Sequence, residues 1–256
     1  ETVVFTSASL AVADSFDYFK RGVGLGQLST HEMVLASPFD YLSQALLCLP
    51  TDLLELSDPG FTGQVVDIVA DVAESIKGRT LVLFTAHQQL REVADALRPR
   101  LARLNLRVLA QNLDGTRRQL LTDFQNNART VLLGTSSFWE GIDVPGDALS
   151  CVIIVRLPFK VPNDPLQLAR SANLVDPFAQ LALPEAVLRL KQGFGRLIRR
   201  RSDRGAVVLL DHRVGNRTYG RAFLEALPRA ALQLGASDEI APAIAGWLRL
   251  EKPAAV

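Results

Sequence analysis

The sequence lacks several features that would each indicate a particular class of protein. It holds only two cysteines, Cys48 and Cys151, with no C-x-x-C spacing, so no zinc or cluster site is predicted in it. Scarce cysteine fits a reducing compartment, and we expect a cytoplasmic protein. No apolar run approaches the roughly 18 residues of a transmembrane helix, and no charged-then-apolar leader opens the chain. No membrane partner is therefore predicted.

Motifs of a complete catalytic machine are also missing. The sequence has no G-x-x-x-x-G-K-[ST] loop for nucleotide phosphates, no D-E-A-H box for Mg²⁺ and no G-x-S-x-G elbow for a nucleophilic serine. Its three histidines are isolated from one another and lack the i, i+4 pairing of metal ligands. We predict no metal site in this chain.

Charge is nearly balanced overall but unevenly distributed. The formal net charge is +1, whereas residues 189–221 hold ten Lys and Arg against two Asp, a net +8 that leaves −7 on the rest. A basic stripe in an otherwise acidic chain is typical of a phosphate or nucleic-acid contact. The 256 residues suffice for one large α/β domain or two small ones, and we predict one domain with appendages.

Alternating apolar runs and amphipathic segments predict a parallel α/β sheet with helices on both faces. Several β-branched runs are apolar throughout, as in strands that are buried on both sides. Helical spacing of apolar residues predicts helices over 62–77, 87–97, 117–125 and 184–200. Strand and helix alternate from residue 80 onward, which indicates βαβ units. The predicted strands are Thr2–Thr6, Thr80–Phe84, Arg107–Gln111, Thr130–Leu133, Ser150–Val155 and Ala206–Leu210.

The basic segment Val187–Arg201 is the most informative stretch. Taken as one helix at about 100° per residue, it places Gln192, Arg196 and Arg199 on one arc and its apolar residues on another. Its two glycines each cost about 1 kcal/mol relative to Ala in a helix, but they let a ligand or backbone approach. A cationic row beside such a gap suits a polyphosphate, although a solvated basic face is the simpler interpretation of this segment alone.

A second segment, Gly134–Gly146, directly follows a predicted strand. Ligands of open α/β sheets bind beyond the carboxyl ends of strands, and small residues there offer N–H and O–H donors to phosphates. Glu140 and Asp143 can accept bonds from a ribose hydroxyl or pair with an arginine. Phe138 and Trp139 can stack on bases, but such aromatics are more often core residues.

Taken in order, these segments resemble the second, C-terminal motor domain of DinG/XPD-type superfamily 2 DNA helicases, and the DinG branch most of all. Thr6–Leu10 is similar to motif III, Ser37–Tyr41 to the family's S-P-F element and Leu81–Thr85 to motif IV. Gly134–Gly146 matches motif V, and Gln192–Arg199 matches motif VI, Q-x-x-G-R-x-x-R.

The resemblance implies a RecA-like fold and half of an ATP site. In such enzymes the first motor domain supplies the P-loop, the Mg²⁺ ligands and, where a member has one, the iron–sulfur cluster. Residues 1–10 would end that first domain. Residues 11–256 would form the second, with an irregular part over 11–60 and a tail from about 229. The implied partners are the first motor domain of the same protein and single-stranded DNA, and we expect a monomer.

The resemblance also assigns roles to residues. Arg199 would be the arginine finger on the γ-phosphate, Arg196 a second phosphate contact, and Gln192 the residue that orients the nucleotide or the attacking water. Further ATP contacts would be Glu140, Gly141, Asp143 and Gly195. DNA phosphates would meet Thr85, Thr135 and Ser136.

The implied function is that of an ATP-dependent 5′–3′ DNA helicase in repair or replication, with this chain alone inactive. The main alternative is the helicase-like domain of a DinG-type 3′–5′ exonuclease, in which helicase motifs are often degraded; motifs V and VI are intact here. A third hypothesis is a nucleic-acid-binding module that acts alone. The chain begins without Met in an apparent strand, which favours a piece of a longer protein.

Overall fold

A seven-stranded parallel sheet forms the centre of the molecule. The computed structural model describes residues 2–249 except 8, 13, 27, 140–147 and 162. All strand pairings are parallel, in the order β3-β4-β2-β5-β6-β1-β7. The strands are β1 (Ala45–Pro50), β2 (Thr80–Leu83), β3 (Arg107–Ala110), β4 (Thr130–Gly134), β5 (Cys151–Ile154), β6 (Gly205–Leu209) and β7 (Ala231–Gly235).

Helices cover both faces of this sheet. One hydrophobic core lies under α3, α4 and α11, and the other lies under α5, α6, α8 and α10. A π-helical turn, Phe178–Ala182, leads directly into α8. The helices are α1 (Asp17–Gly22), α2 (Tyr41–Gln44), α3 (Phe61–Ser75), α4 (His87–Ala102), α5 (Arg117–Asn126), α6 (Ser136–Trp139), α7 (Pro165–Ser171), α8 (Leu183–Phe194), α9 (Arg213–Asn216), α10 (Gly220–Ala226) and α11 (Ser237–Arg249). The predicted α/β class with helices on both faces is confirmed.

The uninterrupted apolar runs follow from burial on both faces. In β2, Val82 belongs to the core under α3 and α4, whereas its neighbours Leu81 and Leu83 belong to the opposite core. Successive side chains of a strand point to opposite faces, so a strand covered on both sides needs apolar residues throughout. Cys48 and Cys151 are buried among these residues, and burial raises the pKa of the Cys48 thiol to about 12. Both cysteines are thus core residues.

The two ends of the chain differ from the prediction. Residues 2–6 are exposed and form no strand of this sheet. The segment predicted as a tail after residue 228 instead supplies β7, which pairs with β1, and α11, which packs on α3. The sequence did not reveal β7 as a strand, because β7 lies at the edge of the sheet and its two leucines, Leu232 and Leu234, are exposed and not part of a buried apolar run. The described helices include none that is long and apolar enough to cross a membrane.

A further strand, β1, lies within the part predicted to be irregular. Its sequence, ALLCLP, lies in a region rich in Gly and Pro, yet β1 is an internal strand of the sheet, between β6 and β7. A run of six residues ending in Pro carries no period that distinguishes a strand from a buried helical turn. Only its pairing with two neighbours identifies it as a strand.

Candidate functional site

The basic segment is a helix followed by a loop, which corrects the prediction of one helix over 184–200. α8 ends at Phe194, and residues 195–204, here called the arginine loop, lead to the start of β6. Gln192 therefore lies on the helix, whereas Arg196 and Arg199 lie on the loop, so the predicted i, i+4, i+7 row does not exist. Two glycines at the end of α8 weaken the helix there.

Trp139 joins the segments that resemble motifs IV, V and VI. Its indole Nε1 donates to the carbonyl of Phe84, 3.3 Å away, and its own carbonyl accepts from Nε of Arg196 at 3.3 Å. A Cβ on Gly193 would lie 3.1 Å from the indole ring, so this glycine makes room for Trp139 rather than for a ligand. Trp139 and Phe138 are buried, which agrees with the core interpretation and leaves neither ring open to a base.

The predicted ATP contacts divide into described and undescribed residues. Gly195 is exposed, and the nearest atom to a Cβ placed on it would be its own helix's carbonyl, so its open side faces solvent. Gln192, Arg196 and Arg199 are half-buried. Glu140, Gly141 and Asp143 lie outside the described residues. Glu140 directly follows Trp139, the residue that Arg196 contacts.

The carboxyl ends of β2, β3 and β4 form a second polar region, here called the carboxyl edge. Thr135, which follows β4, is only 2% exposed. Its N–H and its hydroxyl both donate to Oε1 of Gln111, at 2.7 and 3.1 Å. Because that hydroxyl has one hydrogen, its oxygen accepts from Nε2 of His87, 3.2 Å away. The hydroxyl of Thr135 is thus engaged inside the protein, whereas the resemblance to the helicases implied that it would face DNA phosphates.

The other two predicted DNA contacts differ from Thr135. Thr85 is exposed just beyond β2, two residues before His87, the first residue of α4. Ser136 opens the short helix α6, but its side chain lies outside the described part of the structure. The carboxyl edge therefore brings Thr85 and Thr135 to neighbouring strands and exposes only Thr85.

Three residues of the carboxyl edge were missed by sequence reasoning. His87 begins α4, and Arg117 and Arg118 begin α5, whose N-cap Thr116 forms a capping box with Gln119. Arginine in a first turn opposes the positive end of the helix dipole, so two of them side by side favour an anionic partner. The signal was available: G-T-R-R after a strand marks a capped helix with a basic first turn.

Of the remaining arginines of the arginine loop, one packs against the fold and two are exposed on the surface. Arg204 lies over the ring of Trp247 in α11, with its guanidinium carbon 4.3 Å from the ring centroid, and burial lowers its pKa. Arg200 and Arg201 are exposed. Across the described residues, no group of three or more His, Cys, Asp or Glu is placed to hold a metal ion.

Known proteins share both the sequence pattern and the fold. Residues 69–230 match the family described as the helicase C-terminal domain. The chain belongs to that family. It is 43% identical over 231 residues to "ATP-dependent DNA helicase YoaA" of Escherichia coli K12, covering 89% of this chain and 35% of that protein. It is 36% identical over 254 residues to "3'-5' exonuclease DinG" of Bacillus subtilis 168, covering 96% and 27%.

Solved structures agree on the architecture. The Xpd4 structure of S. tokodaii superposes with a TM-score of 0.58 at 14% identity, covering 81% of this chain and 41% of that one. At this identity the similarity shows the fold alone, and it confirms the predicted RecA-like sheet. Together with the sequence relatives it confirms a helicase C-terminal domain of the DinG/XPD type. The chain spans about a third of the length of the curated relatives it matches.

Proposed function

We propose that the chain is the C-terminal motor domain of a monomeric cytoplasmic ATP-dependent DNA helicase that moves 5′→3′ along single-stranded DNA in repair or replication. The observation that carries the proposal is Trp139, which connects the arginine loop, the segment matching motif V and the end of β2. A motor domain has to couple its nucleotide contacts to its DNA contacts, and this residue touches both regions. The relatives named as ATP-dependent DNA helicases support it.

The arginine loop supplies the nucleotide contacts in this proposal. The nucleotide would lie between this domain and the first motor domain, which would hold Mg²⁺ and the P-loop. Arg199 would meet the γ-phosphate, Arg196 would meet a second phosphate, and Gln192 would orient the nucleotide or the attacking water. Guanidinium groups suit this task because they stay charged and match phosphate oxygens. The loop that follows Trp139 would add Glu140, Gly141 and Asp143, with Asp143 at the ribose, and the exposed Gly195 would leave room for the phosphates.

The carboxyl edge supplies the DNA contacts. Thr85 and Ser136 would meet phosphates directly, while Thr135 would hold His87 and Gln111 in place beneath the bound DNA. The N-termini of α4 and α5 and the basic first turn of α5 add a positive field. Such contacts read no base, so binding would be independent of sequence and sensitive to salt.

Replacing the proposed finger tests this function. In the full-length protein, Arg199→Ala should lower DNA-stimulated ATP hydrolysis by roughly 10³-fold or more, because the developing phosphate charge loses its cation. Binding of single-stranded DNA should stay within about twofold, since the DNA contacts lie elsewhere. Arg201→Ala, an exposed arginine of the same loop, is the matched control and should keep its activity. Normal turnover by Arg199→Ala would refute the assignment.

The chain by itself provides a second test. Its 256 residues hold no P-loop sequence, so we expect no ATP hydrolysis above background with or without DNA. Robust ATP turnover by the 256-residue chain would contradict the proposal that it holds only half of the ATP site.

A second candidate is the helicase-like domain of a 3′–5′ exonuclease, favoured by the match to the Bacillus subtilis exonuclease over 96% of this chain. In that case the full-length protein would remove nucleotides from 3′ ends without ATP, and Arg199→Ala would leave this digestion intact. A helicase would instead separate strands only with ATP and would leave the 3′ ends uncut.

A further inference from the structure

The backbone of the arginine loop is held by a buried carboxylate. Asp203 is 7% exposed, and its Oδ2 accepts the N–H groups of both Arg199 and Arg200 at 2.9 Å. The N–H of Asp203 in turn donates to the carbonyl of Arg200 at 3.0 Å. A buried carboxylate needs such donors, and charge-assisted bonds of this kind are stronger than neutral ones. Asp203 therefore fixes the peptide groups on either side of the Arg199 Cα.

A buried glutamine holds the same loop from the other side. Nε2 of Gln44, which is 4% exposed, lies 3.0 Å from the carbonyl oxygens of Arg200 and Arg201 and 2.9 Å from that of Asp203. Three carbonyl oxygens around one atom require the amide nitrogen there, because the amide oxygen could only repel them. Gln44 thus clamps the second half of the loop through its backbone.

Gln44 reaches the loop through strand pairing. It is the last residue of α2, immediately before β1, and Ala45 pairs with Gly205 at the start of β6. The arginine loop ends at that same point, so the parallel pairing of β1 with β6 brings Gln44 against it. The ring of Tyr41 in α2 also lies 5.9 Å from that of Phe194, the last residue of α8. Both ends of the loop are therefore anchored to one element.

We propose that Gln44 and Asp203 are positioning residues for Arg199, which rests on the finger role proposed above. Neither residue belongs to the segment matching motif VI, and both bond the loop through its backbone and leave its side chains to other contacts. A charge that stabilises phosphoryl transfer acts through its placement, and an error of about 1 Å far from the chemistry costs roughly 100-fold in rate. The two buried side chains set that placement.

Variants that keep side-chain size test the proposal in the full-length protein. Gln44→Met removes the donor, and Asp203→Asn removes the charge. Each should lower kcat of DNA-stimulated ATP hydrolysis by roughly 10- to 100-fold, with KM for ATP and affinity for single-stranded DNA within about threefold. The matched controls are Gln64→Met and Asp164→Asn, which should keep kcat. Gln64 also bridges backbone groups, of Asp52 and Leu54, and Asp164 also accepts two successive N–H groups.

Two further measurements separate positioning from general damage. Amide hydrogen exchange should speed up at Arg199 and Arg200 in Asp203→Asn, with the strands unchanged. On the Arg199→Ala background, Gln44→Met should cause no additional loss of kcat, because coupled residues are not additive. Full kcat in both Gln44→Met and Asp203→Asn, with Arg199→Ala inactive, would overturn this inference and leave the proposed function standing. Normal turnover by Arg199→Ala would overturn both.

Discussion

The arginine loop and the carboxyl edge use polar residues in opposite ways. In the arginine loop, the residues that match the family motif carry the charges, and the buried groups that hold the backbone, Gln44 and Asp203, lie outside the motif. At the carboxyl edge, the motif residue Thr135 is itself the buried support. His87 and Arg118, which are exposed there, lie outside the matching segments, whereas the exposed Thr85 lies within the segment similar to motif IV.

This difference follows from the local backbone. A loop has few internal hydrogen bonds, so side chains from elsewhere must satisfy its peptide groups before it can present a cation. The end of a central strand is already held by its neighbours, so the residue that follows it is drawn into the core. A sequence motif therefore locates a site but does not tell which of its members touch the ligand.

Trp139→Ala should have the largest effect, because it removes the residue shared by both regions. Loss of a buried tryptophan costs about 3–5 kcal/mol of unfolding free energy. In the full-length protein, ATP hydrolysis and DNA binding should fall together. Trp247→Ala, which removes the other tryptophan, is the control for lost volume and should spare DNA binding. Denaturant unfolding measures the loss of stability, and DNA titration measures the loss of binding. DNA binding at wild-type strength in Trp139→Ala would show that this residue does not connect the arginine loop to the carboxyl edge.

Gly205→Ala should damage the arginine loop alone. A Cβ at this position would collide with the side chain of Leu197 and lie 2.8 Å from the carbonyl of Ser150. Overpacking of this kind costs about 1–3 kcal/mol, and displacing Leu197 should lower ATP turnover while DNA affinity stays. Gly63→Ala, in the first turn of α3 with open space around the new Cβ, is the control and should gain up to about 1 kcal/mol. Equal losses of ATP turnover and DNA affinity in Gly205→Ala would contradict the division of nucleotide and DNA contacts between the two regions.

Thr135→Val should mainly lower stability, whereas Thr85→Val should mainly lower DNA affinity. The first replacement removes the hydroxyl that bonds Gln111 and His87, and we expect a loss of about 1–2 kcal/mol in unfolding free energy. The second removes an exposed hydroxyl, so stability should change by less than about 0.5 kcal/mol, while DNA affinity falls. Thermal unfolding and fluorescence anisotropy with an oligonucleotide measure the pair. A larger loss of stability in Thr85→Val would reverse the roles assigned here.

Arg118→Gln should have the smallest effect, confined to DNA binding. Removing one phosphate contact should make the fall of log affinity with log salt concentration less steep by about 1. The loss of affinity should be the same for DNA of any sequence. The control is Arg103→Gln, an exposed arginine at the other end of α4. An unchanged slope for Arg118→Gln would remove the start of α5 from the DNA surface.

Local pattern in the sequence predicted most elements of the sheet and the nature of the site. The run Thr80–Leu83 and the helix Arg117–Asn126 were predicted to within a residue, because burial on both faces and helical spacing of apolar residues leave local signals. β1 and β7 were missed, since their identity depends on pairing between residues far apart in the chain. The loop after α8 was also missed, and its second half is held by bonds from Asp203 and from the distant Gln44.

The sequence by itself determined the fold class, the family and the stretch that carries the charges, because periodicity, glycine placement and motif order are local properties. Tertiary structure alone decided that Gly193 makes room for Trp139, that Thr135 is buried and that Gln44 bonds the backbone of the arginine loop. Gln44 and the arginine loop are more than 150 residues apart in sequence. Only the pairing of β1 with β6 brings them together, and no local pattern encodes that pairing.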